Sequence, residues 1–426
     1  MIEIITFGCR LNIYESEIIR KCANDVRLDD CHGTEVSVFI INSCAVTAEA
    51  QRQVRQTIRK YRRGHPNAKI IVTGCAVEVA FEQFAGMPEV NRIINNKDKL
   101  DIAAYREIKN DVTLCKHVKI PKRRHASDGK LPVVCSFEGK SRAFVQIQGG
   151  CNHFCSYCII PYARGKSHSF APEDIVKQIQ TLLDAGYPEI VLTGVDIASY
   201  GFDLNDKIRL PDLVELILND CPKLMRLRIS SIDPAACNNR LLQLIACEPR
   251  ILPHIHLSVQ SGSDLILEHM RRRHKRADVL NICRTLRSLR GDMSIGADFI
   301  TGFPGENDDM FQDSYSLIKE ADFTFLHVFP YSSRPGTKAA KMVQLPGARQ
   351  LAKARAKVLR RLGGQQLQKH MSGFIGNQIN ILIEGKNLAK SDHFMVVIAD
   401  KSLPEASLAQ AKVWKSDNGK LFANII

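Results

Sequence analysis

Residues 148–161, QGGCNHFCSYCIIP, set Cys151, Cys155 and Cys158 in a CxxxCxxC spacing directly after the apolar-alternating run Ala143 to Ile147. Three thiolates leave one coordination position of a metal centre open. Iron–sulfur clusters are held by cysteine thiolates, and a cubane with three protein ligands keeps one iron free to bind and activate a small molecule. A structural zinc site is the plainer alternative, but zinc prefers four closed ligands, and no fourth Cys or metal-spaced His follows nearby. A disulfide fits less well, because the Cys are scattered singly and the chain begins in a strand-like MIEIIT with no signal peptide.

Downstream of this loop the chain alternates between β-branched runs and helical stretches. Strands are expected near Ala143–Ile147, Glu189–Thr193, Arg226–Ser230, His254–Val259, Ser294–Ile300 and Thr324–Phe329. Between them lie helical stretches at Pro172–Ala185, Pro211–Asn219, Asn238–Ala246, Ala277–Leu289 and Asp308–Glu320. Six parallel strands with right-handed crossovers imply an incomplete (β/α) barrel with its site at the strand C-termini. Those ends are polar and glycine-rich: TGVD (193–196), SSID (230–233), QSG (260–262) and DFITGFPGE (298–306). The basic run 271–276, RRRHKR, reads either as a solvated cluster or as a brace for a carboxylate or phosphate.

Upstream, short apolar runs at Ile2–Phe7, Val36–Ile41, Lys69–Thr73 and Arg92–Ile94 read as buried parallel strands of an open α/β sheet. A helix from about Ala48 to Arg63 is capped by Thr47, stops at Gly64 and turns Val54, Ile58 and Tyr61 to one face. Its other face carries Arg52, Arg55, Arg59, Lys60, Arg62 and Arg63, either a solvated face or a phosphate-reading stripe. Cys9, Cys44 and Cys75 each follow directly on a strand. Ligands of open parallel sheets gather beyond the strand C-termini, so three thiols at equivalent positions favour a shared metal centre over three core residues. Cys22, Cys31 and Cys115 lack that placement and read as structural.

The resulting plan is α/β with three units. Residues 1–125 form the sheet domain, 126–142 a Pro-, Gly- and charge-rich linker, and 143–345 the barrel. A helix over 346–370 then leads into 371–426, where alternating strands at Asn377–Glu384, His393–Ala399, Ala411–Lys415 and Gly419–Ile425 suit a small β-barrel. A length of 426 residues fits two or three domains, and 45% hydrophobic content excludes general disorder. Lys plus Arg exceed Asp plus Glu by 59 to 45, a surplus of +14 that favours a polyanionic partner. No apolar run is long enough for a membrane helix, so no membrane partner and a cytoplasmic location are expected. Fourteen Cys suit metal or redox chemistry better than structural bridging.

The string GCNHFCSYCIIPYARG (150–165) resembles the methylthiotransferase branch of the radical S-adenosylmethionine superfamily. Its ending, YARG (162–165), and the segment LHVFPYSSRPGT (326–337) are similar to the subgroup acting on threonylcarbamoyladenosine in tRNA. GCRLN (8–12), INSCAVT (41–47) and VTGC (72–75) resemble the N-terminal domain of the same enzymes. The resemblance implies two 4Fe-4S clusters, one on Cys151, Cys155 and Cys158 that binds and cleaves S-adenosylmethionine, and an auxiliary one on Cys9, Cys44 and Cys75 that carries the sulfur. It implies that Gly194, Ser230, Gln260, Arg273 and Asp298 lie near S-adenosylmethionine, and that the C-terminal unit is a diverged TRAM-like RNA-binding barrel. The implied reaction is methylthiolation of C2 of threonylcarbamoyladenosine in the tRNA anticodon stem-loop, with an electron donor such as flavodoxin or ferredoxin. Alternatives are an isopentenyladenosine methylthiotransferase, a ribosomal-protein aspartate methylthiotransferase, or a noncatalytic iron–sulfur RNA-binding or redox-sensing protein.

Overall fold

In the computed structural model, which describes residues 1–28, 37–110, 131–205, 207–344 and 346–426, the chain opens as four parallel strands. These are β1 (Ile2–Thr6), β2 (Val38–Ser43), β3 (Lys69–Gly74) and β4 (Arg92–Ile93), paired in that order. Every residue of β2 is buried, as a strand covered on both faces requires. Crossover helices α1 (Arg10–Asp25) and α2 (Ala48–Gly64) flank the sheet. Thr47 caps α2 by accepting a hydrogen bond from the Ala50 amide at 3.0 Å. The second strand runs two residues beyond its expected end, and Cys31, Cys115 and the basic run 116–124 lie outside the described residues.

The barrel consists of two three-stranded parallel sheets: β5 (Ala143–Gln146), β6 (Glu189–Thr193), β7 (Arg226–Ile229), then β8 (His254–Gln260), β9 (Ser294–Thr301), β10 (Phe325–Pro330). Parallel bridges at Leu227–Ile251 and Ile232–Leu257 join the two sheets into one curved wall of six strands. The five expected outer helices are present within a residue or so of their expected bounds. The wall does not close. Helix α1 packs against β5 on one side of the gap, and the long helix Ala348–Ser372 packs along β10 on the other.

Residues 131–142 are not a free linker. The Val134 amide donates to Gln178 Oε1 and its carbonyl accepts from Gln178 Nε2, the Tyr14 hydroxyl donates to the Pro132 carbonyl at 2.7 Å, and buried Phe137 meets Tyr187 and Phe144 edge-on. The apolar residues here place the segment in one continuous core with α1 and the barrel, which its Pro and charge content obscured.

The C-terminal unit is a closed barrel of five strands, one more than expected: β11 (Gln378–Gly385), β12 (Leu388–Ser391), β13 (Val396–Ala399), β14 (Leu408–Asp417) and β15 (Lys420–Ile425). Two residues in the left-handed region explain the difference. Asn387, at φ +58°, turns the chain tightly enough to admit β12, and Phe394, at φ +68°, delays β13.

Phe394 projects from this unit into the barrel, stacked on His254 with centroids 4.9 Å apart. Around it Glu189, buried at the start of β6, receives Arg226 at 2.9 Å, Arg228 at 2.7 Å and Arg142 at 3.4 Å. The same arginines reach across the joint: Arg226 pairs with Asp392, Arg142 with Glu384, and Arg228 donates to the Ser391 and Asp392 carbonyls at 2.9 Å. Burial pushes the Glu189 carboxyl up, but the three guanidiniums outweigh it and hold it below its ordinary value. Its contribution to stability is therefore present above the ordinary carboxylate pKa and lost as pH falls below it. Glu189→Gln is expected to cost about 3–5 kcal/mol by leaving buried arginines unpaired. Urea unfolding followed by fluorescence of Trp414, the one tryptophan and a residue of β14, should show the C-terminal barrel released at lower urea.

Candidate functional site

The three N-terminal cysteines are brought together by side chains that tie the strand-end loops to one another. Asn12 Nδ2 donates to the Phe7 carbonyl at 2.6 Å and the Ser43 carbonyl at 3.2 Å, pinning the loops of Cys9 and Cys44. Ser43 Oγ donates to the Thr73 carbonyl at 2.5 Å and accepts from the Ala76 amide at 3.2 Å, pinning the loop of Cys75. Gly8, at φ +99°, allows the closest approach: a Cβ there would stand 2.9 Å from the Cys44 sulfur. The thiols lie within mutual electrostatic reach. Burial pushes Cys44 up to about 11, with Cys75 and Cys9 adding to the rise, and raises Cys75 against the opposing pull of Arg164 and Lys99, with Cys9 adding to that rise too. Only Cys9 is exposed.

The central triplet sits on a pinned loop. The Cys151 amide donates to the Gly165 carbonyl at 3.1 Å, and the Cys158 amide to the Cys155 carbonyl at 3.0 Å. Ser156 Oγ donates to the His269 carbonyl at 2.7 Å, and its amide to the Met270 carbonyl at 3.0 Å. Burial pushes Cys151 up to about 11 and Cys158 up to about 12, with the other cysteines of the loop adding to the rise. Arg272 Nη1 lies 3.6 Å from the Cys155 sulfur, a cation placed against the negative charge that a ligating thiolate carries. Asp233 holds both Arg272, at 3.1 Å, and Arg273, at 3.2 Å. The anion braced by the basic run is thus an internal aspartate.

The loop of the second triplet is clamped to the domain of the first. Arg164, at the end of helix Ile160–Arg164, donates a two-pronged fork to Glu15 of α1, at 2.8 and 3.0 Å, and a further bond to Asn12 at 2.6 Å. Lys99 Nζ meets the same carboxylate at 2.6 Å. Burial pushes the Glu15 carboxyl up, but Arg164 and Lys99 outweigh it and hold it at about 2.

Between the domains lies a cavity of about 970 Å3. Cys9, Cys151, Cys155 and Cys158 all line it, with Cys44 directly behind Gly8 of the lining. His254 and Phe325 open their strands and Gln260 and Pro330 close theirs, yet all four line the cavity, so it runs the length of the barrel. Of the residues expected near S-adenosylmethionine, Gly194, Ser230, Gln260 and Asp298 line it and Arg273 does not; Arg272 takes that place. Gln260 adopts φ +76° at a bulge of β8, and the Ser230 hydroxyl has no partner among the described residues.

Several polar residues were missed or misread in the sequence. The Cys151 sulfur, a His153 nitrogen and an Asp196 oxygen lie within 4.8 Å of one another, so a histidine does stand beside the cluster loop. Asp298 receives His256 at 3.0 Å and His327 at 3.3 Å; burial pushes its carboxyl up, but the two rings hold it at about 2. Strand alternation places both histidines on the barrel interior, the one signal that could have found them. The basic face of α2 is largely used within its own domain. Arg52 pairs with Glu49 at 2.5 Å, Arg59 with Glu89 at 3.6 Å, Arg55 donates to Gln83 at 2.9 Å, and Arg62 donates to the Pro66, Ala68 and Glu89 carbonyls. That leaves only Lys60 and Arg63 of the expected stripe. Among the described residues no helix is long and apolar enough to cross a membrane.

Residues 145–318 match the Radical SAM superfamily, and residues 1–95 match Uncharacterized protein family UPF0004. A threonylcarbamoyladenosine tRNA methylthiotransferase MtaB of Rickettsia prowazekii is 44% identical over 417 residues, covering 98% of this chain and 96% of the relative. A tRNA-2-methylthio-N(6)-dimethylallyladenosine synthase of Staphylococcus haemolyticus is 32% identical, covering 94% of this chain and 78% of that protein. Among solved structures, the radical S-adenosylmethionine methyltransferase TsrM of Kitasatospora setae, with cobalamin and a [4Fe-4S] cluster bound, shares the fold. Its TM-score is 0.57 at 14% identity, covering 81% of this chain and 79% of that one. With both domains matched and a near-full-length relative this similar, the chain belongs to the radical SAM methylthiotransferase family that includes the threonylcarbamoyladenosine tRNA enzymes.

Proposed function

We propose that this enzyme adds a methylthio group to C2 of N6-threonylcarbamoyladenosine next to the anticodon of tRNA. One observation carries the reading: Cys9 of the N-terminal triplet and all three cysteines of the central one line a single cavity between the domains. Each triplet fits a 4Fe-4S cluster with one iron left unligated by the protein, and no other cysteine of the chain shares either arrangement among the described residues. Bound at these positions, the clusters and S-adenosylmethionine supply the radical and the methylthio group, chemistry that an unactivated C2–H needs. The chain's own residues hold the geometry. Glu15 and Arg164 fix one triplet against the other, Arg272 offsets charge at Cys155, and the two histidines keep Asp298 ionised inside the cavity.

A base of the single-stranded anticodon loop can be splayed out to reach such a cavity, while the +14 surplus favours the phosphates around it. The threonylcarbamoyl substrate rests on the 44% identical relative, and the dimethylallyl alternative on the 32% identical one. A cytoplasmic location and a small electron-transfer protein such as flavodoxin or ferredoxin complete the reading.

Nucleoside analysis of a deletion strain tests the substrate. Loss of methylthio-threonylcarbamoyladenosine, restored by wild type and not by a Cys151/Cys155/Cys158 triple Ala variant, is expected. Loss of the methylthio-isopentenyl nucleoside would decide for the alternative. A noncatalytic protein would leave S-adenosylmethionine uncleaved after reduction. Iron and sulfide assays of the reconstituted protein should give roughly eight irons per chain, falling to roughly four in the triple variant.

The clamp between the triplets has its own signature. Because the folded carboxyl of Glu15 stands at about 2 against an ordinary 4.5, its contribution is fully present above 4.5 and lost as pH falls toward 2. Glu15→Gln is expected to lose about 3–5 kcal/mol at neutral pH, and its urea midpoint should fall less than that of wild type across the acid window.

A further inference from the structure

Arg10 follows Cys9 in the chain and turns into the cavity, within electrostatic reach of that thiol. Its guanidinium carbon lies 5.3 Å from the centroid of the Phe394 ring. Lys390, on β12 of the C-terminal barrel, also lines the cavity and holds its Nζ 4.4 Å from the same centroid. The carboxylates of this joint are already engaged, Glu189 and Glu384 by Arg142, and Glu189 and Asp392 by Arg226. Among the described residues Arg10 has no hydrogen-bond or salt-bridge partner, and Lys390 donates only to the Phe394 carbonyl, at 3.2 Å. Burial pulls Lys390 down to about 8 and keeps the neighbouring His254 ring neutral.

Glu189 acts on Arg10 and Glu384 on Lys390 only from a distance, because both carboxylates are in contact with other arginines, so two cations facing a ligand cavity with no carboxylate in contact are stabilised when the ligand brings one. Threonine joined to adenine through its amine keeps a free carboxylate, ionised at neutral pH, whereas an isopentenyl group carries no charge. We propose that Arg10 and Lys390, both packed against the Phe394 ring, form a subsite that receives the threonyl carboxylate of the substrate nucleoside and selects it over an isopentenyl group. This rests on the substrate reading above. The placement agrees with it: Arg10 is one residue from Cys9, so the charged end of the modified base is held while its ring stays near the thiol triplet. Phe394 supplies an apolar wall beside the two cations, and Arg142 and Arg228, which also lie against its ring, are engaged by Glu189.

The test is binding of the full-length reconstituted protein to anticodon stem-loops, followed by fluorescence anisotropy. Three loops are compared, carrying the threonylcarbamoyl free acid, its methyl ester, or plain adenosine. Wild type should bind the acid about tenfold or more tightly than the ester. Arg10→Gln and Lys390→Gln should each erode that preference while leaving affinity for the plain loop unchanged. Equal binding of acid and ester by wild type overturns the subsite, and so does a variant that weakens all three loops by the same factor, which would mark a phosphate contact. The acid–ester comparison on wild type decides the matter even if a variant does not fold. Nucleoside analysis with the same preparation separates the two readings. No methylthiolation of threonylcarbamoyladenosine sinks the substrate assignment, whereas methylthiolation without an acid preference sinks only the subsite.

Discussion

The alignment of the two cysteine triplets depends on one buried carboxylate. Glu15 lies on the first crossover helix, out of water, and accepts from Lys99 of its own domain and from Arg164 at the end of the cluster loop. A buried guanidinium is tolerable only when paired, and this one has a bidentate partner plus Asn12. Asn12 in turn holds the carbonyls that precede Cys9 and Cys44. Relative motion of the two domains would therefore break a charged fork and loosen two thiol loops at once. The proposed reaction divides its chemistry between the two triplets and so requires that they stay in register, and here hydrogen-bond geometry enforces it.

The other end of the barrel repeats the device with more charges. Glu189 gathers three arginines, and these continue to carboxylates and carbonyls of the C-terminal barrel. Apolar contact alone would hold such a unit without fixing its rotation, whereas forked arginines specify both distance and plane. The cavity is thus closed by the sheet domain on one side and by Phe394 on another, with the polar strand ends between them. Other cysteines of the described residues take no part. Cys22 and Cys221 are buried among apolar residues and serve as small apolar side chains, while buried Cys283 lies within electrostatic reach of Cys237.

What escaped the sequence did so for identifiable reasons. Composition marked residues 131–142 as a linker because Pro and charge outweigh two anchors, Phe137 and Val134, that matter only once Tyr187 and Gln178 stand opposite them. The arginine-rich face of α2 looked free because its partners, Glu89 and the carbonyls near it, arrive from a later loop. Arg272 and Arg273 both reach Asp233, but of the two Arg272 lines the cavity, a difference that follows the left-handed turn at Arg271.

The sequence by itself determined the architecture and the thiols. Apolar runs of strand length alternating with amphipathic helices leave few other solutions than parallel sheets, and cysteines that follow strands must sit where parallel sheets place their ligands. Only the tertiary structure decided which charges are spent on holding domains together and which remain facing the cavity. Pairing between residues such as Glu15 and Arg164, or Glu189 and Arg228, is a matter of distance in space, and local pattern carries no trace of it.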